Sequence, residues 1–115
     1  MNRILVVDDD EDIRDLLSVF LIAAGYDVVT AKDGEEGIRL FDQSGFDIVI
    51  TDLVMPLYNG HEVARHVNNN GRGIPVIGIS GTPEEMDPDL FNIVLQKPFS
   101  LEELYKCIKA IGVAL

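Results

Sequence analysis

Short apolar runs alternate along the chain with longer stretches in which apolar residues recur every three or four positions. Five runs, Arg3–Val7, Asp27–Ala31, Asp47–Thr51, Ile74–Ser80 and Phe91–Leu95, are brief and rich in Val and Ile, as strands buried on both faces of a sheet should be. Between them, Ile13, Leu16, Leu17, Phe20 and Ala24 keep the spacing of one helical face, and Gly25 follows as a stop. Gly37, Ile38 and Phe41 mark a shorter helix, and Val63, Ala64 and Val67 a third. Leu101, Leu104, Tyr105, Ile108 and Ile111 mark the last, with Ser100 and Glu103 spaced as a capping box. This alternation predicts an α/β fold, a doubly wound five-stranded parallel sheet with helices on both faces. The ligand site of such a sheet lies beyond the carboxyl ends of its strands.

Composition narrows the picture. The 115 residues are expected to form one domain, 1–115. The single cysteine, Cys107, excludes an internal disulfide and reads as a small core residue. The net charge of −11 is uneven: residues 1–60 hold 13 acids against 4 bases, residues 61–115 hold 7 against 5. So few clustered bases argue against a direct nucleic-acid partner or an anionic membrane surface. The apolar run Ile4–Val7 stops at Asp8, far short of a signal-peptide core or of the ~20 residues that span a bilayer. The expected location is the cytoplasm.

The acids are the candidate chemistry. Asp10, Glu11 and Asp12 suit the first turn of a helix, where carboxylates favour the macrodipole. Asp8 and Asp9 sit instead at the end of the first strand, and Asp52 at the end of the third. Strands one and three side by side would bring these groups together. Two carboxylates ~4 Å apart repel by ~4 kcal/mol at an effective dielectric of 20, so a shared proton or a cation must offset them. An all-oxygen site suits Mg²⁺, or Mn²⁺ in its place. Lys97, just past the fifth strand, adds an ammonium, and Ser80, ending the fourth, adds a hydroxyl. Carboxylate nucleophile, metal, ammonium and hydroxyl are the equipment of phosphoryl transfer to an aspartate.

Four motifs, Ile4-Leu5-Val6-Val7-Asp8-Asp9, Ile48-Val49-Ile50-Thr51-Asp52-Leu53-Val54-Met55-Pro56 with Gly60, Ser80, and Lys97-Pro98-Phe99, fall in order at these strand ends. With them the chain resembles the receiver domain of two-component response regulators, chemotaxis receivers included, from about Arg3 to Ile111. The resemblance implies the strand order 2-1-3-4-5. It implies Asp52 as phosphoacceptor, Asp9 as direct metal ligand, Asp8 acting mostly through metal-bound water, and the main-chain carbonyl of Val54 as a further ligand. It makes Lys97 the partner of the aspartate and then of the phosphoryl group, Ser80 the switch hydroxyl, and Lys97-Pro98 a cis peptide. The partner implied is a sensor histidine kinase or phosphotransfer protein, with an output protein or attached domain under control. Such a domain catalyses its own phosphorylation and autodephosphorylation and has no external product.

The chain departs from the family pattern in two places. Val94 stands three residues before the lysine, where an aromatic is usual, so an aromatic switch is absent there. Ser80 and Lys97 are only 17 residues apart, and Pro88 cannot continue a helix interior, so a shortened or irregular fourth helix is expected. Val54 and Thr82 flank the expected approach of water and are tuning positions. A haloacid-dehalogenase-type phosphatase is disfavoured, because Val54 stands where its acid/base aspartate belongs. His61 and His66, five apart on a helix, would point ~140° from one another and read as solvated residues. Gly71-Arg72-Gly73 reads as a turn.

Overall fold

The computed structural model describes residues 2–70 and 73–112; of the turn expected at Gly71-Arg72-Gly73, residues 71 and 72 lie outside them. The elements run β1 (Arg3–Val7), α1 (Glu11–Ala23), β2 (Asp27–Ala31), α2 (Gly34–Gln43), β3 (Ile48–Asp52), α3 (Gly60–Asn69), β4 (Val76–Ser80), a 3₁₀ turn (Pro83–Glu85), β5 (Ile93–Gln96) and α4 (Leu101–Ala110). All strands are parallel, in the order β2-β1-β3-β4-β5.

Alternation along the strands divides the core into two layers, because successive side chains face opposite sides of a sheet. Ile4 and Val6 of β1, with Ile48 and Ile50 of β3 and Ile77 and Ile79 of β4, pack beneath Leu17 and Leu21 of α1 and Leu104 and Ile108 of α4. Leu5, Val7, Val49 and Val76 face the other way, toward Phe41 of α2 and Val63, Ala64 and Val67 of α3. Leu16, expected in the core, is 49% exposed, and Leu21 is buried in its place. The buried stripe of α1 is centred on Leu17 and Leu21, and Leu16 lies about 100° from Leu17 around the helix.

Three strand limits differ from the sequence pattern, each for a local reason. β3 begins at Ile48 and runs through Asp52, which pairs with Ile79, while the Asp47 carboxylate is taken by the Arg3 N–H at 2.7 Å. β4 begins only at Val76, since Pro75 has no N–H to give a ladder. β5 begins at Ile93 because Asn92 closes the pair with its side chain: its Oδ1 accepts the Val76 N–H at 2.9 Å. The connection from β4 to β5 holds one 3₁₀ turn, closed by Met86 N–H donating to the Pro83 carbonyl. Met86 and Phe91 then turn inward over Gly78 and fill the space against the sheet.

Candidate functional site

Parallel register carries the acids to one place. Val7 of β1 pairs with Thr51 of β3, so the next residues, Asp8 and Asp52, emerge side by side where the order reverses between β1 and β3. Both are nearly enclosed, Asp8 at 1% and Asp52 at 8% exposure. Asp9 is exposed. One carboxylate oxygen from each of Asp8, Asp9 and Asp52 lies within 4.8 Å of the other two. Asp10, Glu11 and Asp12 stay with the helix. Asp10 is the N-cap of α1 and accepts the N–H groups of Asp12 and Ile13.

Three carboxylates face one ammonium in this pocket. Burial, followed by the neighbouring Asp52 charge, raises the Asp8 carboxyl from 3.8 to about 6 against the opposing Asp10 N–H and Lys97. Burial raises Asp52 as well, with Lys97 pulling it back. Asp8 Oδ1 takes the Asp10 N–H at 2.9 Å. Oδ2 is buried and has no hydrogen-bond partner among the described residues. Lys97 Nζ stands 3.2 Å from Asp52 Oδ1 and 4.0 Å from Asp8 Oδ2. A buried oxygen without a donor, in a cluster of three carboxylates and no nitrogen or sulfur ligands, fits a small hard cation.

Ser80 is 3% exposed at the end of β4. Lys97 follows β5 and donates its backbone N–H to the Ser80 carbonyl at 2.9 Å, so Ser80 and Lys97 occupy the same rim. The Lys97-Pro98 peptide is cis. Asp52 Oδ1 also accepts the Leu53 N–H at 3.0 Å, which orients its carboxylate. Val54 is 72% exposed in the loop that follows. Val94 is half-buried against the Met86–Phe91 layer.

The sequence model of the response regulator receiver domain matches residues 4–109. This chain belongs to that family. The receiver is 39% identical over 114 residues to response regulator RR06 of Streptococcus pneumoniae, covering 95% of this chain and 52% of that protein. Among solved structures it is similar to the response regulator TrrA of Thermotoga maritima in complex with Mg²⁺-BeF, with TM-score 0.89, 32% identity, and 96% and 99% of the two chains covered. It is also similar to the complex of histidine kinase ThkA with TrrA, with TM-score 0.88, 33% identity, and 98% and 100% covered. The chain spans about half the length of the curated relatives it matches. Among the described residues no helix is long and apolar enough to cross a membrane.

Two features of the receiver were hidden from the sequence pattern. His61 and His66 are not solvated residues but half-buried tertiary contacts. His61 Nε2 accepts the Asp87 N–H at 3.0 Å and its ring packs on Phe91, because the short β4–β5 connection lies against α3. His66 Nε2 lies 2.7 Å from Asp42 Oδ1 on α2. Gly60 presses directly on the site: a Cβ there would stand 2.4 Å from the Asp52 carbonyl oxygen and 2.9 Å from Leu53 Cα. Asn59 caps α3 beside it in a capping box with Glu62. Gly60→Ala is therefore expected to push α3 off the Asp52 backbone at a cost of about 1–3 kcal/mol. A urea-denaturation midpoint equal to that of the parent would show the contact to be soft.

Proposed function

We propose that this receiver is a phosphoacceptor switch that takes a phosphoryl group on Asp52 and reports it through Ser80. The observation that carries the proposal is the convergence of Asp8, Asp9 and Asp52 beside Lys97 at the β1–β3 reversal. A bound Mg²⁺, held by Asp8, Asp9, Asp52 and the Val54 main-chain carbonyl, would supply positive charge for the oxygens of the transferred group. Mn²⁺ has the same ligand preference.

The protein's own residues supply the rest. Leu53 N–H and Lys97 Nζ both hold Oδ1 of Asp52, which leaves Oδ2 to form the bond to phosphorus as the P–N bond to the donor histidine breaks and its imidazole departs. The Lys97 ammonium, already in place, offsets charge on the phosphoryl oxygens without reorganisation. The Ser80 hydroxyl at the neighbouring strand end can donate to the product, which brings roughly −1.5 to −2 charges of phosphate. Moving Ser80 shifts the β4–β5 connection and biases an existing equilibrium between two states. The donor is a phosphohistidine on a sensor kinase or phosphotransfer protein. This rests on the family and on the neighbour solved with a histidine kinase. The output is a partner or an attached domain, since relatives about twice as long are named transcriptional regulators.

The test is incubation with acetyl phosphate and Mg²⁺ followed by intact-mass analysis. One added phosphoryl group supports self-catalysed uptake, and no adduct at any donor concentration excludes it. A second expectation concerns lifetime. Val54, apolar and exposed two residues beyond Asp52, offers no hydrogen bond to an attacking water, so Val54→Asn should shorten the life of the phosphoryl group. An unchanged decay in a mass-spectrometric time course would remove Val54 as a tuning position.

A further inference from the structure

A chain of hydrogen bonds leads away from Ser80, and its direction can be assigned. Thr82 Oγ1 lies 3.0 Å from Glu85 Oε2 and 3.2 Å from Ser80 Oγ. A carboxylate oxygen only accepts, and a hydroxyl has one proton. The Thr82 proton is therefore committed to Glu85, and the contact between the hydroxyls is made by the Ser80 proton. Ser80 Oγ in turn accepts the Thr82 N–H at 2.9 Å. The switch hydroxyl is thus occupied as donor and as acceptor by one residue, and its proton is aimed toward Thr82.

We propose that Glu85, acting through Thr82, is a positioning residue that latches Ser80 in its resting arrangement. The inference rests on the reading of Ser80 as the switch hydroxyl. For Ser80 to donate to a phosphoryl group on Asp52 it must release Thr82, so the latch opposes the phosphorylated state. The charged acceptor at the end of the chain strengthens the hold, because hydrogen bonds to ionised groups are shorter and stronger than neutral ones. The 3₁₀ turn places Glu85 at this point through its backbone: Glu85 N–H donates to the Thr82 carbonyl at 2.9 Å and Met86 N–H to the Pro83 carbonyl at 3.1 Å. Neither bond needs the side chains of Thr82 or Glu85, so removing those side chains leaves the turn in place. Val94, where receivers usually carry an aromatic, leaves this chain as the direct side-chain connection from Ser80 to the β4–β5 turn.

The experiment is a titration of the purified chain with beryllofluoride in Mg²⁺, followed by NMR. Glu85→Ala and Thr82→Val should each bind roughly two- to tenfold more tightly than the parent, the equivalent of one net hydrogen bond. The double variant should bind no more tightly than Thr82→Val alone, because links of one chain are not additive. In a Ser80→Ala background Glu85→Ala should change nothing. Structural damage would weaken binding, the opposite sign. If the parent binds and the variants bind equally or less tightly, or if the two changes add, the latch is refuted while the phosphoacceptor reading stands. If the parent binds no beryllofluoride, the phosphoacceptor reading falls and the latch falls with it.

Discussion

Asp52→Ala should take up no phosphoryl group from acetyl phosphate in Mg²⁺, under conditions that give the parent one per chain. The pocket holds other acids, yet their settings differ. Asp8 Oδ1 is bound to the Asp10 N–H, and its Oδ2 is enclosed without a donor. Asp9 is exposed and lacks the contact that Lys97 makes with Asp52 at 3.2 Å. Only Asp52 combines a carboxylate oriented by a backbone N–H with an ammonium on the same oxygen. Removing it should cost little in folding, because burial already disfavours its charge and Lys97 is one-third exposed and can be solvated. The loss of the adduct should therefore be complete in a variant that still unfolds cooperatively. A phosphoryl group found on folded Asp52→Ala would move the acceptor elsewhere.

The second large effect is on stability. With metal removed by chelation at pH 7, Asp8→Asn should melt higher than the parent. The folded chain holds the Asp8 proton up to about 6, against an ordinary value of 3.8. The stability associated with the protonated form is fully present below 3.8 and is lost as pH rises through 6. At pH 7 the parent carries the whole cost, on the order of 2–3 kcal/mol. Asparagine keeps the shape, and its carbonyl can still accept the Asp10 N–H without the buried charge. Its melting temperature should rise by roughly 5–10 °C. The parent should recover more stability between pH 7 and pH 5 than the variant, which keeps only the raised Asp52 carboxyl of the two. Added Mg²⁺ should reverse the ranking, since a ligand that binds only the folded state stabilises it and the variant has lost one of three carboxylates. A lower melting point in chelator, or an undiminished response to Mg²⁺, would mean the pocket tolerates its charge by other means.

Much of the site could be read before any coordinates. Asp8, Asp9, Asp52, Ser80 and Lys97 stand at the ends of apolar runs, and periodicity locates such ends to within a residue or two. The limits that shifted did so where a side chain replaced a backbone partner, as Asn92 does for Val76, or where a proline withheld one. Leu16 was misplaced because a helical stripe read from spacing alone has no centre until it meets a sheet. His61 was misjudged because its partner, the Asp87 N–H, lies 26 residues away.

The kind of fold and the inventory of its chemistry are legible along the chain. Strands and helices follow from the period of apolar residues and the candidate acids from carboxylates placed at the ends of buried runs, while the adjacency of those ends was implied by the resemblance to receivers. Tertiary structure alone decided how those groups are charged and wired. Burial of Asp8, the lack of a protein donor to its Oδ2 and the hold of Lys97 on Asp52 all depend on separations of a few ångströms between segments distant in sequence. Register and packing set those separations, and neither is written in the spacing of residues along one strand.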